Sequence, residues 1–123
     1  MTFHPYIDYS RYMDVEHALD TLSALAQETR LWVFRLLVQA GPQGLAAGEI
    51  ADALGSRQNT MSSHLRILEQ AGLIGSRRQG RSVIYHAHYD TVKQLVLFLM
   101  EDCCAGAQEV CRPVVESLVA EVA

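Results

Sequence analysis

The sequence predicts a small, mostly α-helical domain of five to six helices with a single two-stranded β-hairpin. Three observations carry this expectation. Apolar residues recur at helical spacing from Met13 to Leu25, from Glu28 to Gln39 and from Asp90 to Cys104. Two shorter helical segments, Ala47 to Leu54 and Arg57 to Gln70, lie only two or three residues apart around Gly55. β-Branched and aromatic residues flank Gln79-Gly80, the mark of a hairpin.

The chain of 123 residues is long enough for one hydrophobic core without disulfide or metal staples. It opens Met-Thr-Phe-His-Pro, unlike a signal peptide, and its longest apolar run, Leu95 to Met100, is too short to cross a bilayer. A soluble cytoplasmic protein with no membrane partner is therefore expected, its three cysteines reduced rather than bridged. No Ser-His-Asp set, paired carboxylates or phosphate-cradling glycine loop stands out, so no enzyme and no catalytic cofactor are expected.

In order along the chain, residues 1–14 read as an N-terminal arm bearing Tyr6, Tyr9 and Tyr12. The first helix places Val15, Ala18, Leu19, Leu22 and Leu25 on one face. The second, rich in Leu31, Val33, Phe34, Leu36, Leu37 and Val38, stops at Gly41-Pro42. The third ends at Gly55 and the fourth before Gly72. In the fourth, Met61, Leu65 and Leu68 form an apolar stripe, with Asn59, Ser62, Ser63 and Arg66 opposite.

The hairpin from Leu73 to His86 has a basic tip, and a helix-turn-helix followed by a hairpin is a winged helix. The fifth helix is apolar all around; one side can cover its own core, so the other is expected to meet a second subunit in a homodimer. Residues 15–104 thus read as the winged-helix and dimerisation domain. Residues 105–123 read as a loop and last helix, with Gly106 and Pro113 as punctuation.

The formal net charge is −4, yet Ser56 to His88 holds Arg57, Arg66, Arg77, Arg78 and Arg81 against the single acid Glu69. Five positive charges less one negative leaves that window at +4, inside an acidic chain. Such clustering on a helix-turn-helix and its hairpin points to nucleic acid. A polar stripe alone would be an ordinary solvated face.

At this point the chain resembles the ArsR/SmtB family of winged-helix repressors. The likeness is carried by Ala24-Leu25-Ala26-Gln27-Glu28-Thr29-Arg30-Leu31, by Gly48 to Gly55, by Thr60 to Ile74 and by the wing from Arg78 to Tyr85. It spans roughly residues 15–103. The resemblance implies a homodimer that holds double-stranded operator DNA and leaves it when a metal or metalloid binds. On that reading Gln58, Asn59, Ser62 and Ser63 lie near base edges and phosphates in the major groove, and Arg66 shares their stripe. Arg77, Arg78 and Arg81 would neutralise phosphates. His64, between the two stripes, could contact phosphate or fill the helix boundary. His86 and His88 face one side, but two ligands are too few for a structural zinc site; with His4 and His17 they read as surface residues.

The segment Glu101 to Cys111 holds all three cysteines, Cys103, Cys104 and Cys111. From the residues alone they could be metal ligands, a redox pair with a spare, or small packing residues. Arsenical repressors often carry Cys-x-Cys in the third helix, which here has no thiol. Members that sense zinc place histidines on the fifth helix where this chain has Val92 and Cys103. The arrangement resembles arsenic-responsive members with a Cys-Cys pair at the end of the dimerisation helix and a third cysteine after it. That likeness implies As(III) as effector at Cys103, Cys104 and Cys111, with Sb(III) a second candidate. On one continuous helix Cys104 and Cys111 would be about 10 Å apart along the axis, too far to share an ion. The chain must bend near Gly106, or Cys111 must come from the other subunit. A redox-responsive repressor, or an arsenic-binding protein without DNA recognition, are the alternatives.

Overall fold

The computed structural model describes residues 13–100. Five helices, α1 (Val15–Leu25), α2 (Glu28–Ala40), α3 (Ala47–Leu54), α4 (Gln58–Gln70) and α5 (Tyr89–Met100), surround a small sheet of β1 (Leu45–Ala46), β2 (Ile74–Gln79) and β3 (Ser82–Ala87). The arm before Met13 and the segment 101–123, with all three cysteines and the expected last helix, lie outside the described residues.

Local chemistry sets each boundary. The Asp14 carboxylate accepts the His17 N–H at 2.7 Å and starts α1; the Gln27 side chain accepts the Arg30 N–H at 2.8 Å and starts α2. The Glu49 carboxylate accepts the Ala46 N–H at 2.9 Å ahead of α3. Gly55, left-handed at φ 64°, closes α3, and the Ser56 N–H reaches back to the Ala51 carbonyl at 2.9 Å. Only Ser56 and Arg57 then intervene before α4, which fixes the helix-turn-helix crossing.

The hairpin pairs Gln79 with Ser82 around the two-residue loop Gly80-Arg81. Gly80 has φ 64°, the positive value that tight hairpin turns demand and only glycine adopts freely. The sequence leads one to expect two strands, and the structure adds a third. Leu45 and Ala46 pair antiparallel with Tyr85 and Ile84, giving the order β1-β3-β2. Two residues are too short to show any alternation, so the sequence carries no signal for this strand.

The core joins Val33, Phe34 and Leu37 of α2, Ile50 and Ala51 of α3, Met61, Leu65 and Leu68 of α4, Leu73, Ile74 and Ala87. The α4 stripe expected from its spacing is buried in full. Truncating any one of Leu37, Leu65 or Leu68 to alanine should cost about 2–5 kcal/mol. A second cluster, Met13, Ala18 and Leu95 with Phe98, ties α1 to α5.

The face of α1 is rotated from the one expected. Ala18, Thr21 and Ala24 are buried, while Leu19 and Leu22 are 60% and 40% exposed. Small side chains let α1 lie close against α4, and Thr21 satisfies its hydroxyl by donating to the Ala18 carbonyl at 2.8 Å. Among the described residues no helix is long and apolar enough to cross a membrane.

Candidate nucleic-acid interface

Helix α4 buries one stripe and leaves the other in solvent: Gln58, Asn59, Ser62, Ser63 and Arg66 are all exposed. The Arg57 side chain makes no capping bond to the start of the helix. The Ser62 hydroxyl donates to the Gln58 carbonyl at 2.9 Å, and the Asn59 side-chain oxygen accepts the Thr60 N–H at 2.9 Å. Gln58 lies against the start of α3, where a Cβ on Gly48 would meet its Nε2 at 3.1 Å. A side chain at residue 48 would therefore crowd the Gln58 amide by a few tenths of an ångström.

The wing separates three arginines that the sequence groups together. Neighbouring residues of a strand face opposite sides, so Arg77 and Arg78 diverge. The Arg77 guanidinium donates to the carbonyls of Pro42 and Gln43 at 3.2 and 2.7 Å, pinning β2 to the turn Gly41–Gln43. Arg78 and Arg81, near the tip, are exposed. The Ser76 hydroxyl donates to the Glu69 carboxylate at 2.8 Å, joining the wing to the last turn of α4. Burial raises the Tyr85 phenol above its ordinary range, and nearby Glu69 adds to the effect.

The histidines are not alike. His64 is half-buried, its Nδ1 3.5 Å from the Arg30 guanidinium. Burial, with the Arg30 charge second, holds its imidazole below the ordinary 6.5. His17, expected at the surface, is instead half-buried, its Nε2 3.1 Å from the Ala71 carbonyl. Linking α1 to the end of α4 in this way needs a tertiary contact that spacing cannot reveal. His86 and His88 have ring centroids 5.3 Å apart, and His88 Nδ1 lies 3.2 Å from the Gly72 carbonyl. Among the described residues, no three His, Cys, Asp or Glu side chains are grouped as a metal would need. His4, Cys103, Cys104 and Cys111 lie outside them.

An exposed polar helix flanked by a basic hairpin invites comparison with known regulators. Residues 25–77 match the helix-turn-helix domain family model. An uncharacterized helix-turn-helix transcriptional regulator of Methanocaldococcus jannaschii is 33% identical over 86 residues, covering 70% of this chain and 94% of that one. The chain belongs to the ArsR/SmtB family of transcriptional regulators. It is a DNA-binding regulator and not an enzyme.

Finer likenesses within the ArsR/SmtB family point in several directions. The arsenical resistance operon repressor of Escherichia coli is 39% identical over 61 residues, half of each chain. The regulator NmtR of Mycobacterium tuberculosis is 38% identical over 76 residues, 62% of this chain and 61% of that one. Among solved structures, HlyU from Vibrio cholerae superposes with a TM-score of 0.57 at 28% identity, over 72% of this chain and 94% of that one.

Proposed function

We infer that this ArsR/SmtB member is a repressor that holds operator DNA as a homodimer and releases it when As(III) binds Cys103, Cys104 and Cys111. The observation that carries the effector is the gathering of all three thiols within nine positions, directly after the apolar helix α5. The likeness to an arsenical resistance repressor supports it. Chemistry favours the metalloid: arsenous acid condenses with three thiols, losing three waters, to a neutral product. Beside Glu101, Asp102 and Glu109, a divalent metal on three thiolates would leave one more negative charge.

Homodimerisation is supported by the apolar side chains that α1 and α5 leave in solvent. Leu19 and Leu22 stand on α1 and Leu99, 52% exposed, on α5, and the two helices pack side by side through Ala18 and Leu95. A twofold dimer through this face would set two copies of α4 to read half-sites about one duplex turn, roughly 34 Å, apart. For DNA, the exposed stripe of α4 supplies groups for base edges, and Arg78 and Arg81 supply charge for phosphates.

The test is release of a cognate duplex by arsenite, followed in wild type and Cys104→Ser. Release at micromolar arsenite by wild type and its loss in the variant is the expected result. Equal release by both proteins would remove the thiol mechanism. Release by peroxide and not by arsenite would favour a redox-responsive repressor instead. X-ray absorption on the arsenite complex should show three sulfur neighbours and no oxygen or nitrogen.

A further inference from the structure

A single arginine links three helices through two contacts. Arg30, near the start of α2, donates from Nε to the Ala24 carbonyl at 2.7 Å, in the last turn of α1. Its Nη1 lies 3.5 Å from Nδ1 of His64, the boundary residue of α4. The first bond is short and holds the guanidinium in place; the second is long, and its effect is mainly electrostatic.

That geometry favours one of the two tautomers of His64. A guanidinium has donors and no acceptor, so beside it a lone pair on Nδ1 is favoured over an N–H. The neutral ring then bears its hydrogen on Nε2. Burial and the Arg30 charge both disfavour the imidazolium, so the ring is neutral at physiological pH. His64 is flanked by the exposed Ser62, Ser63 and Arg66, the face that the DNA-binding reading puts against the duplex.

We propose that Arg30 is a positioning residue that fixes His64 as a neutral Nε2–H donor to a backbone phosphate of the bound duplex. The inference rests on the DNA-binding reading of α4. It differs from an ordinary basic contact in one measurable respect. A neutral donor adds affinity but displaces no counterion, so it leaves the salt dependence of binding unchanged, whereas a cationic contact steepens it by about 0.9 per phosphate.

The ring's tautomer is read first, without DNA, by ¹⁵N-¹H correlation of the imidazoles in the full-length protein. His64 should show the Nε2–H form alone, and Arg30→Met should let the minor Nδ1–H form appear beside it, with a thermal melt confirming that the variant folds. Binding is then measured on a duplex selected from random sequence and on one of unrelated sequence. Glutamine places an amide N–H near the position of Nε2 and asparagine does not. His64→Gln should bind within about twofold of wild type, and His64→Asn about three- to tenfold more weakly on both duplexes, at an unchanged salt slope. Arg30→Met should match His64→Asn, and Arg30→Lys should recover part of the loss.

An Nδ1–H ring in wild type, or Arg30→Met without effect on ring and affinity, overturns the proposal. So does a salt slope that falls by about two in His64→Asn, about one for each subunit, which would mark a cationic contact. A loss confined to the selected duplex would assign the contact to a base and also overturn it. Failure of wild type to bind any duplex would remove the DNA-binding reading itself, a result the tautomer measurement keeps separate.

Discussion

The Ser76 hydroxyl donates to the Glu69 carboxylate at 2.8 Å, so the base of the wing is fastened to the last turn of the helix that carries the exposed polar stripe. The bond adds one tie between wing and helix. Glu69 is also the single acid among five arginines from Ser56 to His88. Ser76→Ala, Glu69→Gln and the double variant should give a coupling of about 0.5–1 kcal/mol in urea unfolding, modest because the pair is exposed. Additive losses would show that the bond does not form in solution.

Gly44 sits at φ 68° with ψ −170°, a region essentially reserved for glycine, and a Cβ there would run into the Tyr85 carbonyl. Gly44→Ala should therefore destabilise the fold by at least about 2 kcal/mol. The clash would also part β1 from β3. Gly41→Ala, at φ 76° but with open space around its Cβ, should cost less. Equal midpoints in urea for both variants would contradict this.

Arg77 and Arg78 are adjacent but should fail in different assays. Arg78→Ala and Arg81→Ala should each lower the slope of log affinity against log salt by about 1.8, about 0.9 for each subunit of the dimer. Arg77→Ala should leave that slope nearly unchanged and lower stability by about 1 kcal/mol, since its guanidinium is engaged with Pro42 and Gln43. A slope change for Arg77→Ala equal to that for Arg78→Ala would show that Arg77 leaves the turn to meet phosphate.

For pH dependence, His64 has a depressed value in the folded protein, so the unfolded chain binds the proton more tightly. Stability from this group is complete above the ordinary 6.5, falls as pH drops below it, and levels off once pH passes the folded value. His64→Gln should remove that part of the decline between pH 6.5 and lower values in chemical denaturation. An unchanged pH profile in the variant would contradict the shift.

Leu22→Glu should raise the dimer dissociation constant by roughly tenfold or more, read by sedimentation, because a charge would enter the apolar face of α1. Val38→Glu on the outer face of α2 is the control. Val38 is similarly exposed, at 41%, but lies on neither α1 nor α5 and should leave the dimer intact.

Much of the fold is legible in the chain because its helices obey simple spacing. Met61, Leu65 and Leu68 predict the buried side of α4, and Gly55 marks the turn before it. The face of α1 is harder to read. Leu19 and Leu22 outrank Ala18, Thr21 and Ala24 on any hydrophobic scale, yet the smaller residues pack because α4 lies close. The run Ala18, Thr21, Ala24 was the available signal. The exposed polar stripe follows from sequence, but the distinct settings of Arg77 and His64 do not. Those depend on Pro42, Gln43 and Arg30, more than thirty residues away and visible only once the chain is folded.

The sheet order β1-β3-β2 also bears on self-association. A hairpin alone would offer rows of unpaired N–H and C=O groups on both margins, a template for stacking copy on copy. Here one margin is a strand of only two residues, too brief to guide an incoming chain. The other belongs to β2, where Arg77 and Arg78 carry like charges that would oppose their own kind in a β2-to-β2 pairing. Edge-to-edge growth through the sheet is thus disfavoured at both margins.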